Sequence, residues 1–308
     1  MSGKVSVIMS TYKEPLEYVQ LSVNSILNQT YRDLQIIIVS DNPNNRDVNE
    51  YIDQTAKKDT RVQAVFNDEN RGLVYSLNRA LEFAKGDYIA RMDADDISCY
   101  DRIEKQLGAL EHNQLDIVGC NITFIDNNGN IIGKSSTYPE ADKQIKKYLK
   151  YRNCIPHPSW LVKREVYAAL DGYRNIIACE DFDFLIRAAL KGYKLGNLAE
   201  VLLNYRINST GITSIYSALQ TALRDYLRHY YRKGKIPSED HYKEYIKSHA
   251  LMKKTTAIEK YCCLRKTYNG LSNNFFLKIF FRLYMFFASS AARNVMYTEI
   301  MSEKITSE

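Results

Sequence analysis

Gly86-Asp87-Tyr88-Ile89-Ala90-Arg91-Met92-Asp93-Ala94-Asp95-Asp96 carries the reading of the whole chain. Tyr88 to Met92 is a short strand-like run that ends in three carboxylates. Residues i and i+2 of an extended segment point to the same side, so Asp93 and Asp95 can face one point. Arg91 shares that face, placed to pair with the carboxylates or to reach a phosphate. Two ionised carboxylates held together repel unless a cation lies between them. An all-oxygen site of this kind suits Mg²⁺ or Mn²⁺, with phosphate oxygens as further ligands. The competing reading is structural: Asp95 or Asp96 caps a helix beginning near Tyr100.

Upstream, buried strands alternate with amphipathic helices. Val5 to Ser10 is a β-branched run ending in Thr11-Tyr12-Lys13-Glu14-Pro15, and a helix follows with Leu16, Val19, Val23, Ile26 and Leu27 on one face. Gln35 to Ser40 is a second strand, closed by Asp41; a helix carrying Val48, Tyr51 and Ile52 leads to a third strand, Val62 to Phe66. Asn70-Arg71-Gly72 opens the helix before Tyr88. This alternation predicts an α/β fold with a mostly parallel sheet, whose ligand lies beyond the carboxyl ends of the strands. That rule gathers Thr11, Tyr12, Glu14, Asp41, Asp93 and Asp95 at one rim.

Downstream, Ile103, Leu107 and Leu110 mark a helix, and Asp116 to Cys120 a strand. Asn127-Asn128-Gly129 between two apolar runs predicts a hairpin, so antiparallel strands join the sheet. Gln144 to Tyr151 reads as a helix, Cys154 to Ser159 as a loop, Trp160 to Val162 as a strand and Asp171-Gly172-Tyr173 as a turn. Glu180-Asp181 stands before the apolar stripe Phe182, Leu185, Ile186, Ala189 and Leu190, and Val201 to Tyr205 is the last strand. Trp160, the single tryptophan, reads as core rather than as a sugar platform.

Composition bounds the rest. The chain has 308 residues, 45% hydrophobic and 25% charged, the balance of a globular protein with a sizeable core. Its charge is divided unevenly: Tyr216 to Glu308 holds 16 basic and 8 acidic residues, the part before it 26 and 28. The basic excess marks a C-terminal surface with an acidic partner. Six scattered cysteines lack metal-ligand spacing, and no secretory leader is evident, so reduced cytoplasmic thiols are expected. No apolar run is long enough for a membrane span.

Val5 to Tyr12, Asn70-Arg71-Gly72, Asp93-Ala94-Asp95-Asp96, His157-Pro158-Ser159 and Glu180-Asp181-Phe182, in this order, resemble glycosyltransferase family 2 across Val5 to Tyr205. The resemblance implies an inverting, nucleotide-sugar-dependent enzyme with the GT-A fold, a Rossmann-like nucleotide-sugar-binding sheet. It places Thr11, Tyr12 and Glu14 around base and ribose, Asp41 on a uracil and Arg71 near the nucleotide. Asp93-Ala94-Asp95 matches the family's Asp-x-Asp motif, with Asp93 and Asp95 holding the sugar nucleotide through Mn²⁺ or Mg²⁺. Asp181 matches the catalytic base, with Glu180 beside it. An acidic pair there also suits the dipole of a helix N-terminus. His157, stiffened between two prolines, is open to three roles: touching the diphosphate, completing a metal shell, or packing.

The expected organisation is a catalytic domain over residues 1–215 and a basic, aromatic helical region over 216–308. The latter holds 16 Tyr and Phe, and Asn273 to Tyr297 sets Lys278 and Arg282 four apart among aromatics. Such a helix suits an anionic membrane surface or packing on the catalytic domain. Nucleic-acid binding is not expected. The function expected is transfer of a hexose, glucose or galactose, from a UDP-sugar to a lipid-linked acceptor such as GlcNAc-diphosphoundecaprenol. The product would be a β-linkage in an O-antigen or capsule, made at the inner face of the plasma membrane. The alternatives are a nucleotidyltransferase acting on sugar phosphates, which the glycine-free Thr11 to Pro15 loop disfavours, and an inactive sugar-nucleotide-binding protein.

Overall fold

The computed structural model describes residues 3–207, 217–270 and 290–307. The first part is three rounds of strand and helix closed by a fourth strand: β1 (Val5–Thr11), α1 (Leu16–Leu27), β2 (Leu34–Ser40), α2 (Arg46–Lys58), β3 (Val62–Phe66), α3 (Leu73–Phe83) and β4 (Tyr88–Asp93). Then come β5 (Ile97–Ser98), α4 (Arg102–His112), β6 (Ile117–Ile125), α5 (Asp142–Tyr148), β7 (Leu161–Lys163), α6 (Arg164–Ala169), α7 (Glu180–Leu190) and β8 (Leu195–Arg206). The C-terminal helices are α8 (Ser217–Arg232), α9 (Glu239–Lys247), α10 (His249–Gly270) and α11 (Ser290–Ser307).

The eight strands form one sheet in the order β3-β2-β1-β4-β7-β6-β8-β5. All pairings among β3, β2, β1 and β4 are parallel, β7 is antiparallel to both its neighbours, and β5 is antiparallel to β8. The period-2 alternation along each strand feeds two cores. Val7, Met9, Ile36, Ile38 and Met92 pack towards α1, α2 and α4, while Ile8, Ile37, Val39 and Ile89 pack towards α3 and α7. Buried residues of the C-terminal helices, among them Leu223, Leu227, Leu251 and Ile305, belong to the second of these cores.

Strand register aligns the functional ends. Thr11 lies opposite Ser40, Ser40 opposite Phe66, and Ser10 opposite Asp93. The residues following β1, β2, β3 and β4 therefore emerge at one rim. Gly86 makes the close pairing of β1 and β4 possible, since a Cβ there would meet the Lys4 carbonyl oxygen at 2.5 Å. Because β7 runs backwards, with Leu161 opposite Ala90, the residues before it land at the same rim. The Arg91 amide donates to the Trp160 carbonyl at 2.9 Å there.

Several local expectations change. The hairpin at Asn127-Asn128-Gly129 shrinks to a single bridge, Ile125 to Ile131, because Asp126 folds the loop onto itself by accepting from the amides of Asn128 and Asn130. The last strand runs from Leu195, with a register irregularity against β6 near Asn121. Neither Asp95 nor Asp96 caps α4: its N-cap is Asp101, and Asp96 instead accepts from the Arg206 amide at 2.8 Å. Of the expected helix over 273–297, residues 273–289 lie outside the described residues. Among the described residues no helix is long and apolar enough to cross a membrane.

Trp160 is fully buried, its indole N–H donating to the Ile155 carbonyl at 3.0 Å and its ring packed among His157, Tyr173 and Phe184. Trp160→Ala is expected to cost about 3–5 kcal/mol, the usual result of emptying a large aromatic site. Urea unfolding measures this, and a loss under 1 kcal/mol would mean that the site collapses around the gap.

Candidate active site

Glu14, Arg91, Asp93, Asp95, His157, Glu180 and Asp181 line a single cavity of about 620 Å³ at the rim. The strand β4 places Asp93, whose carbonyl accepts from Ser22 of α1 at 2.7 Å. The turn after β4 brings round Asp95 and Asp96, so that one carboxylate oxygen from each of the three lies within 4.8 Å of the others. The i, i+2 argument thus brings together the right pair for an incomplete reason, since Asp95 stands in the turn beyond the strand. It also missed the third member, Asp96, which is almost wholly buried.

Arg91 is buried and ion-paired with Asp93, leaving its Nε and Nη1 without hydrogen-bond partners. Burial, then the Asp93 and Glu14 charges, push the Asp95 carboxyl up to about 7. Burial, then Asp93 and Asp95, also raise the Asp96 carboxyl, and its Oδ2 is buried with no hydrogen-bond partner among the described residues. Crowded oxygens that resist ionisation together, one of them orphaned, fit a hard divalent cation. Such a cation, when bound, supplies concentrated positive charge to the oxygens of an anionic ligand. Asp93, Asp95 and Asp96 are the residues to hold it.

Asp181 also lines this cavity, from the first turn of α7. Its Oδ2 accepts from Asn153 Nδ2 at 2.8 Å and its Oδ1 from the Phe182 amide at 2.6 Å, which fixes the carboxylate while leaving lone pairs free. Glu180 differs. Burial, then Asp181, push its carboxyl up to about 8, so it is protonated at neutral pH and is a poor proton acceptor. Its Oε1 stands 3.9 Å from His157 Nδ1, too far for a hydrogen bond.

Glu180 gives a pH prediction. Its folded value near 8 exceeds the unfolded 4.5, so its contribution to stability is complete below pH 4.5 and is lost as pH rises towards 8. Glu180→Gln removes this ionisation. Denaturant titrations at stepped pH should show the variant gaining on the parent protein across that window. Parallel stability curves would show that the parent carboxyl titrates normally.

His157 is buried, and burial, then Arg91, hold its ring well below the usual histidine range, so it is neutral. Its Nε2 meets the Tyr173 hydroxyl at 2.8 Å, which in turn meets the Tyr167 hydroxyl at 2.9 Å. Packing and cavity lining are thus combined in one residue.

The other expected ligands form a polar group beside the cavity rather than in its lining. Thr11 is buried and donates to Glu14 Oε2 at 2.7 Å, which also accepts from the Tyr12 amide at 2.6 Å. Asp41 is buried, its carboxylate accepting from the amides of Arg71 and Gly72, each at 2.8 Å, and from Asn67. It clasps the loop that opens α3. The Arg71 guanidinium pairs with Glu69 and lies over Tyr75. Ala94 packs its side chain into the core, so that side chain has no part in the cavity. Sequence reasoning missed Asn153, which orients Asp181, and Arg206, which donates to the Asp95 carbonyl at 2.9 Å and lies over Tyr18. No local motif surrounds either.

Residues 6–170 match the sequence profile of glycosyl transferase family 2. The chain belongs to glycosyl transferase family 2. It is 41% identical over 204 residues to an uncharacterized glycosyltransferase of Methanocaldococcus jannaschii, covering 66% of this chain and 70% of that one. It is 34% identical over 230 residues to the O-antigen biosynthesis glycosyltransferase WbnJ of Escherichia coli, covering 73% and 89%. Among solved structures, the mannosyltransferase PcManGT of Pyrobaculum calidifontis, in complex with GDP-Man and Mn²⁺, aligns with a TM-score of 0.62 at 16% identity, covering 99% of this chain and 87% of that one. Residues 1–349 of TarS from S. aureus, in complex with UDP, align at 0.58 and 18% identity, covering 78% and 68%. The family 2 chain thus has the GT-A fold, a mixed, mostly parallel sheet flanked by helices.

Proposed function

We propose that this family 2 glycosyltransferase transfers a hexose from a UDP-sugar to a hydroxyl of a sugar acceptor, with inversion. The observation that carries the reading is the shared cavity: Asp93, Asp95 and Asp181 all line one space of about 620 Å³, enough to hold a sugar. The incoming hydroxyl loses its proton as it attacks, so a fixed carboxylate must face it from the side opposite the leaving diphosphate. Asp181, which lines the cavity and keeps an available oxygen, takes that role in this reading. Glu180, being neutral, does not compete for the proton. Arg91, ion-paired with Asp93, steadies that carboxylate beside the donor diphosphate. Thr11, Tyr12, Glu14, Asp41 and Arg71 belong beside the nucleoside, and Mn²⁺ or Mg²⁺ beside Asp93 and Asp95.

A single displacement at the anomeric carbon inverts it, so an α-linked donor gives a β-linked product. The O-antigen relative supports a role in surface polysaccharide synthesis on a lipid-linked acceptor. The basic C-terminal region would hold the enzyme at an anionic inner membrane surface. Hydrolysis of UDP-glucose, UDP-galactose and GDP-mannose, with and without Mn²⁺, tests the donor. Metal-dependent release of UDP from one of the first two is expected. Preferential turnover of GDP-mannose would overturn the uridine assignment. Retention of the α configuration, read by NMR of the product, would overturn inversion.

A further inference from the structure

The cavity is electrically divided. Besides its carboxylates, Arg152, Arg224 and Arg228 also line it, together with Gln220 and Thr221. Residues 220, 224 and 228 recur every fourth position of α8, and 221 stands three before 224, so all four share one face of that helix. This face is tied to the catalytic loop. Gln220 Nε2 donates to the Ala178 carbonyl at 2.8 Å, three residues before Asp181. Arg152 directly precedes Asn153, the residue that holds Asp181. The arginines therefore stand on the Asp181 side of the reaction.

Their charge is under-compensated. Asp225 pairs with Arg228 but is shared with Lys254. Among the described residues no carboxylate pairs with Arg152 or Arg224, and the Arg224 Nε is buried without a hydrogen-bond partner. Burial, then Arg232, Arg224 and Arg152, pull the Arg228 guanidinium down to about 9. Like charges assembled around a cavity are stabilised by a bound anion.

We infer that Arg152, Arg224 and Arg228 bind the diphosphate of the acceptor substrate, so that the enzyme takes a sugar linked through diphosphate to its carrier. This inference rests on the transferase reading above. Under that reading the donor diphosphate leaves from the face of the sugar away from Asp181, so a second anion beside Asp181 belongs to the acceptor. Guanidinium groups match phosphate oxygens in paired hydrogen bonds. Val295 and Thr298 of α11 complete the lining on this side and bring a second C-terminal helix to the acceptor entrance.

The test compares one acceptor sugar in two forms, as an alkyl diphosphate and as a neutral alkyl glycoside. The parent protein should favour the diphosphate in kcat/KM. Arg152→Ala, at an exposed position, and Arg224→Ala should each shrink that preference roughly ten-fold or more, as loss of a charged hydrogen bond would. Arg224→Lys should keep part of it. Equal use of the two acceptors by the parent, or equal losses on both in the variants, would overturn the inference. Inorganic pyrophosphate titrated in EDTA gives a readout that needs no turnover. Binding by the parent and its loss in the double variant support the site; binding kept in the double variant removes it. Flotation with phosphatidylglycerol vesicles separates the sources. If the substitutions abolish vesicle binding but leave the acceptor preference intact, the arginines serve bilayer headgroups and the proposal fails. Nucleotide-sugar hydrolysis by the same preparations reports on the transferase reading independently.

Discussion

Asp181→Asn should lower kcat about a thousand-fold, within the range expected for removing a general base, with KM for the donor little changed. The amide is nearly the shape of the carboxylate. It can still present an oxygen to the Phe182 amide, 2.6 Å away in the parent protein. Its nitrogen then faces Asn153, which cannot turn over freely because its own oxygen accepts from the Ile155 amide at 2.9 Å. A modest local adjustment follows, and the large effect is chemical: an amide cannot take the acceptor's proton at any accessible pH. Glu180→Gln is the matched control. Because the parent carboxyl already carries a proton near neutrality, this variant should retain most of its turnover at pH 7. If Asp181→Asn keeps activity within ten-fold while Glu180→Gln loses it, the two neighbours have exchanged roles.

The difference between these neighbours was not legible in Glu180-Asp181-Phe182. Both are acidic, both sit in the first turn of α7, and the helix dipole favours either. What separates them is tertiary: Glu180 is turned into the interior and Asp181 is held half-exposed by Asn153, which lies 28 residues earlier in the chain. The same holds for Asp41. Its place after β2 could be read from the rim rule, but its bonds to the amides of Arg71 and Gly72 depend on a loop 30 residues away. The parallel half of the sheet was readable because buried strands and amphipathic helices each carry a local period. β7 was readable as a strand but not as an antiparallel one, and that reversal delivers His157 to the rim. The arginine face of α8 repeats every four residues, a pattern equally consistent with a solvated helix surface until the helix is seen packed beside Asp181.

Asp93 and Asp95 look interchangeable in the motif, and the structure makes them separable. Asp93→Asn and Asp95→Asn should each reduce kcat/KM about a thousand-fold, since under the proposed function each removes a charged oxygen from the group that would stabilise the departing diphosphate. Their effects on the metal-free protein should diverge. Asp93 is the ion-pair partner of Arg91, a guanidinium only 3% exposed, so neutralising it leaves a buried charge uncompensated at a cost of about 3 kcal/mol. Among the described residues no ion pair holds Asp95. Burial and the neighbouring charges of Asp93 and Glu14 already disfavour its ionised form, so an amide there relieves repulsion and leaves metal-free stability equal to that of the parent or slightly above it. Urea unfolding in EDTA measures the divergence. Addition of Mn²⁺ should then raise the midpoint of the parent protein, through preferential binding to the folded state, and raise that of Asp95→Asn far less. Equal destabilisation of the two variants in EDTA would show that Arg91 does not depend on Asp93. An unchanged response of Asp95→Asn to Mn²⁺ would remove Asp95 from the cation site and leave Asp96, the buried third carboxylate, as the partner of Asp93 there.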